Sequence, residues 1–265
     1  MSELRAAVVG IDGAGKTTVL RLLHEQPAVQ VVHAIRAHED PHSPWAALSR
    51  ALAGASAAAD TVGRAQLKVA ALYLQLCLYG PAERHAAGRG RFLLADRHPL
   101  IDPLVYLPLF GQLGADEEPG GDVDTWWRLQ DPAAAEDVRD WLRQCVPGGD
   151  PWTLGAELLR LGTRPPAELL PELSRRFGVE LPHRVLLLDL PVREAIQRMR
   201  ARARGAELHE TATFLAATRQ RYAAALTWLR ATSPGMVVRR VDCSGLGVAE
   251  VAAAVRRSLE AAAPA

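Results

Sequence analysis

Nine residues near the start of the chain, Gly10-Ile-Asp-Gly-Ala-Gly-Lys-Thr-Thr18, have the types and spacing of a loop that wraps a polyphosphate. Each part has a mechanical task. Gly10, Gly13 and Gly15 lack a Cβ, so the backbone around Asp12 and Ala14 turns its N–H groups inward toward phosphate oxygens. Lys16 brings a positive charge to the β- and γ-phosphates, and the Thr17 hydroxyl, followed by Thr18, is placed to ligate Mg²⁺. The context agrees. Leu4–Val9 reads as a buried strand, and 17–23 as a helix whose N-terminus faces the anion.

A second pair has the same character. Phe92-Leu-Leu-Ala-Asp-Arg97 is an apolar run that ends in an acid and a base. In a doubly wound sheet the carboxyl ends of the strands face the ligand crevice, on the side of the phosphate loop. Asp96 there orders Mg²⁺ through its waters, and Arg97 holds the charge of a phosphoryl group in transfer. The alternative is a structural salt bridge. Farther on, Arg198 and Arg202 fall at i, i+4 on one helical face, with Arg204 on the following turn. This run of arginines either waits for an anion or forms a solvated face of an arginine-rich chain.

Positioning these residues requires alternating elements. Apolar and β-branched runs at 6–10, 29–34, 92–95, 185–190 and 237–241 read as strands. Helical patterns fill 17–24, 45–53, 66–79, 192–202, 211–230 and 248–262. The alternation predicts an α/β fold, a doubly wound five-stranded parallel sheet with helices on both faces. Residues 111–181 break the rhythm. They hold no strand pattern but an acidic loop at Asp116–Asp124, and Trp126, Trp127, Trp141 and Trp152 in amphipathic pieces. One domain over 1–265 is expected, with a helical insertion at 111–181 near the acceptor site.

Composition narrows the function classes. A net charge of +1 over 265 residues speaks against a nucleic-acid-binding stripe or an acidic tail. Cys77, Cys145 and Cys243, far apart in sequence, read as buried thiols of a reducing compartment. No 18-residue apolar stretch and no charged-then-apolar leader is present, so a cytoplasmic location away from the membrane is expected.

Several of these segments resemble one family. The loop with Asp12, the run Arg89–Arg97 into the Asp-Arg pair, and Leu188-Asp-Leu-Pro191 before an arginine-rich helix are similar to thymidylate kinases and deoxynucleoside kinases. Asp96-Arg-His-Pro99, with Tyr106 beyond it, looks like the matching segment of herpesvirus-type thymidine kinases. The resemblance covers residues 4–110 and 183–262, and 111–181 has no identified counterpart. It implies ATP and Mg²⁺, with Thr17 and Asp96 around the metal, and a homodimer formed through helices. It also implies a lid at 198–210 whose Arg198, Arg202 and Arg204 close over the phosphates. Arg198 would stack on the adenine near Asp242–Gly245, and Glu207 would meet a sugar hydroxyl of the acceptor.

Three positions bear on the acceptor. Strand two is followed by His38-Glu-Asp-Pro41, with Trp45 five residues beyond Asp40. Deoxynucleoside kinases hold Glu-Pro there with a Trp beyond, and the acid takes the proton of the 5′-hydroxyl. By resemblance Asp40 is that base and Glu39 its competitor. Thymidylate kinases instead place an Arg just before the acid to grip a monophosphate, where this chain has Glu39, with Arg36 nearby to offset it. The other reading makes Glu39 and Asp40 a helix-cap cluster before Pro44-Trp45. Gln75 stands at the position of the base-contacting Arg of thymidylate kinases. Nucleoside kinases carry Gln there, whose amide pairs with a base edge, unless helical phase turns it to solvent. Last, Ile101, Asp102 and Tyr106 replace the Ser/Thr and Gln that follow the Asp-Arg pair in thymidylate kinases.

Together these residues favour phosphoryl transfer from ATP to the 5′-hydroxyl of a (deoxy)nucleoside or a nucleoside-like metabolite. Lys16, Asp40, Asp96, Arg97 and Arg202 would carry the chemistry, with Glu39, Trp45, Gln75, Arg97, Tyr106 and Glu207 around the acceptor. A nucleoside monophosphate kinase of the thymidylate type is the alternative. A third reading is a P-loop nucleotide-binding protein without catalysis.

Overall fold

A computed structural model of the chain describes residues 3–40, 42–111, 118–201 and 211–261. The chain divides into two compact units, one of residues 1–32, 83–102 and 180–265 and one of 33–82 and 103–179.

The first unit carries the sheet. Strands β1 (Leu4–Val9), β2 (Val29–His33), β3 (Phe92–Asp96), β4 (Arg184–Asp189) and β5 (Val237–Asp242) lie in the order β2-β3-β1-β4-β5. The pairing is parallel, with Ala7 opposite Ala95 and Val185, and Leu186 opposite Arg239. The central strands are buried along most of their length and read as near-continuous apolar runs, as strands covered on both faces must. The helices of this unit are α1 (Lys16–His24), α10 (Val192–Arg200), α11 (Ala212–Thr232) and α12 (Val248–Glu260), with α4 (Tyr79–Ala86) leading into it. Arg184 closes α12. Its guanidinium donates to the carbonyls of Ser258, Leu259 and Ala261 at the helix C-terminus, where a cation satisfies orphaned acceptors.

The second unit is helical: α2 (Ala46–Val62), α3 (Ala65–Leu76), α5 (Asp102–Phe110), α6 (Asp122–Arg128), α7 (Pro132–Cys145), α8 (Pro151–Leu161) and α9 (Pro166–Phe177). Two of its helix starts are written locally. Asp131 and Asp150 accept from backbone N–H groups of the first turns of α7 and α8, and each precedes a proline at the first helical position. Close packing of α3 on α8 needs Gly155, because a Cβ there would stand 2.0 Å from the Gln66 carbonyl oxygen. The tryptophans serve as core. Trp126 is fully buried and donates to the Ala55 carbonyl at 2.7 Å, and Trp141 donates to the Leu74 carbonyl at 2.9 Å. Lys68 is buried too, its ammonium satisfied by Ser56 Oγ at 2.9 Å and Asp60 Oδ2 at 2.6 Å.

All five expected strands are present, and three local expectations are corrected. The helix expected over 66–79 ends at Leu76 and a new one starts at Tyr79. Pro81 supplies the reason: its ring would collide with the Cys77 carbonyl of a continuous helix and it has no N–H to donate. The helix expected over 45–53 runs on to Val62, since its alanine-rich second half outweighs one Gly54, and it stops at left-handed Gly63. The cysteines are not all buried: Cys243 is, but Cys77 and Cys145 are partly exposed. These two meet in space, and a hydrogen bond with Cys145, together with burial, pushes the Cys77 thiol well above its usual range. Among the described residues no helix is long and apolar enough to cross a membrane.

Candidate active site

The phosphate loop joins β1 to α1, and its shape is imposed by neighbours as well as by its own glycines. Gly10 and Gly13 take φ of 145° and 83°, and a Cβ at either would come within 2.6 Å of a backbone carbonyl oxygen, Leu188 and Ala195 respectively. The start of α1 therefore carries Lys16 on a loop wedged against β4 and α10. Lys16 is buried, and its ammonium donates to the carbonyls of Gly10 and Ile11 at 2.8 and 2.9 Å, with Asp12 Oδ1 3.6 Å away. Burial, and then the Arg97 guanidinium, lower its pKa to about 8, against the pull of Asp12, Asp96 and Asp102. A cation so weakly solvated is primed to exchange backbone carbonyls for phosphate oxygens.

Thr17, at the next position, donates its hydroxyl to Asp96 Oδ2 at 2.8 Å, joining the start of α1 to the end of β3. The two oxygens are the hard donors that suit Mg²⁺. Among the described residues no cluster of three or more His, Cys, Asp or Glu stands ready to hold a metal alone.

Arg97 follows at the end of β3 with φ 71°, the one described non-glycine residue in the left-handed region. Such a conformation costs about 1–3 kcal/mol and persists where the surroundings fix it. Here the Arg97 N–H donates to the Val8 carbonyl at 3.1 Å. The guanidinium lies between two carboxylates: it contacts Asp12 of the loop, and its second nitrogen reaches Asp102 Oδ1 at 3.4 Å. Asp102 also accepts from the Tyr222 hydroxyl at 2.6 Å and from the His98 N–H at 2.7 Å. His98 is fully buried and burial lowers its pKa to about 3, so it stays neutral and structural, its Nδ1 accepting from the Leu100 N–H at 3.2 Å.

On the other side of β1, Asp189 ends β4 and pairs with Arg219 of α11 at 2.6 and 3.0 Å, and with Arg240 of β5. Arg219 foremost holds its carboxyl below the usual range. Arg198 of α10 donates to the carbonyls of Cys243 and Leu246 at 3.2 and 3.3 Å, and so touches the loop where the adenine is expected. Arg202, Arg204 and Glu207 lie outside the described residues.

The acceptor candidates belong to the second unit. Glu39 ends a short 3₁₀ turn (Ala37–Glu39), and Asp40 follows it. Asp40 Oδ1 accepts from the His42 N–H at 2.9 Å. It does not cap α2, whose N-cap is Trp45 without a side-chain bond. Gln75 sits near the end of α3 and is 4% exposed, yet its amide has no hydrogen-bond partner among the described residues. Its amide atoms are not among the fully buried ones without a hydrogen bond, so the group keeps slight access to water. Tyr106, partly buried on α5, stacks on Phe110 with ring centroids 6.4 Å apart.

Neither a protein-family model nor a curated protein matches the sequence. Solved structures do. A thymidylate kinase from Candida albicans aligns over 98% of this chain and 92% of its own, with a TM-score of 0.52 and 14% identity. A deoxyadenosine kinase from M. mycoides with bound dATP aligns over 97% of this chain and all of its own, with a TM-score of 0.51 and 14% identity. The same enzyme with dCMP and dCDP bound gives 0.51 at 13%. The fold is that of a P-loop thymidylate or deoxynucleoside kinase. The herpesvirus-type likeness is not carried by these neighbours and stays with Asp96–Pro99.

Within this kinase-type fold, sequence reasoning named Asp102 near the Asp-Arg pair but not as a partner of Arg97, and it missed the part of Tyr222. Asp102 carries a weak signal, an Asp-Pro step five residues after Arg97 at the start of an apolar helix. Tyr222 carries none, being 120 residues away along the chain.

Proposed function

We propose that the chain is an ATP- and Mg²⁺-dependent kinase that phosphorylates the 5′-hydroxyl of a (deoxy)nucleoside or a nucleoside-like metabolite. The observation that carries this reading is the Thr17–Asp96 pair beside Lys16 and Arg97, on a kinase-type fold. A protein that only bound nucleotide would need the loop but not a second acid and a strained arginine at the end of β3.

In this mechanism Lys16 and the loop amides hold the donor phosphates, and Thr17 with Asp96 would hold Mg²⁺, which supplies charge neutralisation on the β- and γ-oxygens when bound. Asp40 takes the proton of the acceptor hydroxyl as its oxygen attacks the γ-phosphorus; the bond from that phosphorus to the bridging oxygen breaks and ADP leaves. Arg97 stabilises the charge on the transferring group. Gln75 pairs with the base edge, and Trp45 and Tyr106 frame the ring. Glu39 beside Asp40 favours a neutral hydroxyl over a monophosphate, which it would repel. The thymidylate kinase neighbour supports the other acceptor, a nucleoside monophosphate, on fold alone.

The test is ATP consumption across a panel of nucleosides and their monophosphates, run also with Asp40→Ala. Turnover of a nucleoside that the variant loses by about 10³-fold, with ATP affinity intact, supports the assignment. Turnover of dTMP but not thymidine reverses the choice of acceptor. ATP binding with no acceptor turned over refutes catalysis.

A further inference from the structure

Arg97 contacts the phosphate loop at Asp12, and its surroundings are more elaborate than a salt bridge requires. Its guanidinium contacts Asp12, whereas its approach to Asp102 Oδ1 is 3.4 Å, long for a bond between charged groups. The same Oδ1 takes a 2.6 Å bond from Tyr222, whose side chain is fully buried on α11. Asp102 Oδ2 is held separately by the His98 N–H at 2.7 Å. Tyr222 and Arg97 thus share one oxygen of Asp102, and the tyrosine hydroxyl holds it the more closely.

We infer that Tyr222 is a positioning residue: by occupying Asp102 Oδ1 it keeps Arg97 from closing onto Asp102 and leaves the guanidinium turned toward Asp12 and the phosphate loop. Without the hydroxyl, an Arg–carboxylate pair at ordinary distance becomes available on the Asp102 side, and the cation shifts away from the loop by a fraction of an ångström. Displacements of that order are costly in phosphoryl transfer, which depends on position and charge. Asp102 is then the element through which a helix near the C-terminus adjusts a residue at the end of β3. The inference rests on the proposed kinase reading, in that it takes the loop to hold a phosphoryl donor.

A double-mutant cycle decides it. Tyr222→Phe keeps the ring and its packing, and is expected to lower kcat about tenfold with a smaller change in KM. In an Arg97→Ala background the same change should cost less than about twofold, because the hydroxyl acts only through Arg97. Adding Asp102→Asn to Tyr222→Phe weakens the competing carboxylate and should recover part of the loss. Equal losses in both backgrounds, or no loss from Tyr222→Phe, overturn the proposal. If Tyr222→Phe does not fold, Asp102→Asn in the two backgrounds takes its place: a change in kcat that disappears in the Arg97→Ala background supports the proposal, and equal changes in both backgrounds overturn it. If the unaltered protein turns over no acceptor, the kinase reading falls by itself. The cycle is then read as ATP·Mg²⁺ affinity by calorimetry, where an effect of Tyr222→Phe confined to the Arg97 background supports the positioning and additive effects overturn it.

Discussion

Gln75→Leu separates the needs of folding from those of recognition. The side chain is 4% exposed on α3 and its amide has no hydrogen-bond partner among the described residues. Leaving a buried amide unmatched costs about 1–3 kcal/mol. The amide atoms are not among the fully buried ones that lack a hydrogen bond among the described residues, such as Asp60 Oδ1, Gln130 Oε1 and Arg184 Nε. Slight access to water places Gln75 at the low end, about 1 kcal/mol. Leucine has nearly the same volume, so no cavity term offsets that gain. The variant should therefore be more stable by about 1 kcal/mol in urea unfolding, raising Tm by about 2–4 °C. At the same time it loses the donor and acceptor that would read a base, so KM for the acceptor should rise about 10- to 100-fold. Gln75→Leu that destabilises the protein by more than about 1 kcal/mol, or leaves acceptor KM unchanged, refutes the reasoning, because the amide is then structural.

Three further outcomes follow from two other features. Lys16 in the folded protein loses its proton near pH 8, so ATP·Mg²⁺ affinity should fall as pH rises above about 8, with Lys16→Met flat across the range by calorimetry. The same group binds fewer protons folded than unfolded between pH 8 and 10.5, so its contribution to stability rises with pH in that window and is least below it. Gly155→Ala sets two effects against each other: alanine gains about 1 kcal/mol of helix propensity, but a Cβ 2.0 Å from the Gln66 carbonyl oxygen forces α3 and α8 apart. Overpacking against backbone wins, and a net loss of about 3 kcal/mol or more is expected in denaturant unfolding.

What the sequence made legible is what local chemistry writes. The phosphate loop and the five strands are encoded within short windows, by glycine spacing and by runs such as Phe92–Ala95. The Asp96-Arg97 pair could be placed because strand ends share one side of a parallel sheet. Strand order and the tertiary tie from Tyr222 to Asp102 could not, since neither leaves a periodic trace. The break at Cys77–Leu78 was hidden by an apolar run that continues through it, and only Pro81 marks it. Arg97's backbone is likewise invisible in sequence: arginine gives no hint of a left-handed conformation as glycine would. Gln75 was legible as a polar residue in an apolar run, but its lack of a partner is a fact of packing.

The tight fit of Gly10 under Leu188 and of Gly13 under Ala195 has a consequence for how this loop can be altered or borrowed. Its contour is moulded from behind by a strand and a helix that come nearly two hundred residues later. The motif alone is therefore not a portable module: grafted onto another scaffold, residues 10–18 would arrive without the surface that shapes them. Remodelling of the loop in this chain has to begin at the β4–α10 junction, where the mould is, and not at the glycines that fill it.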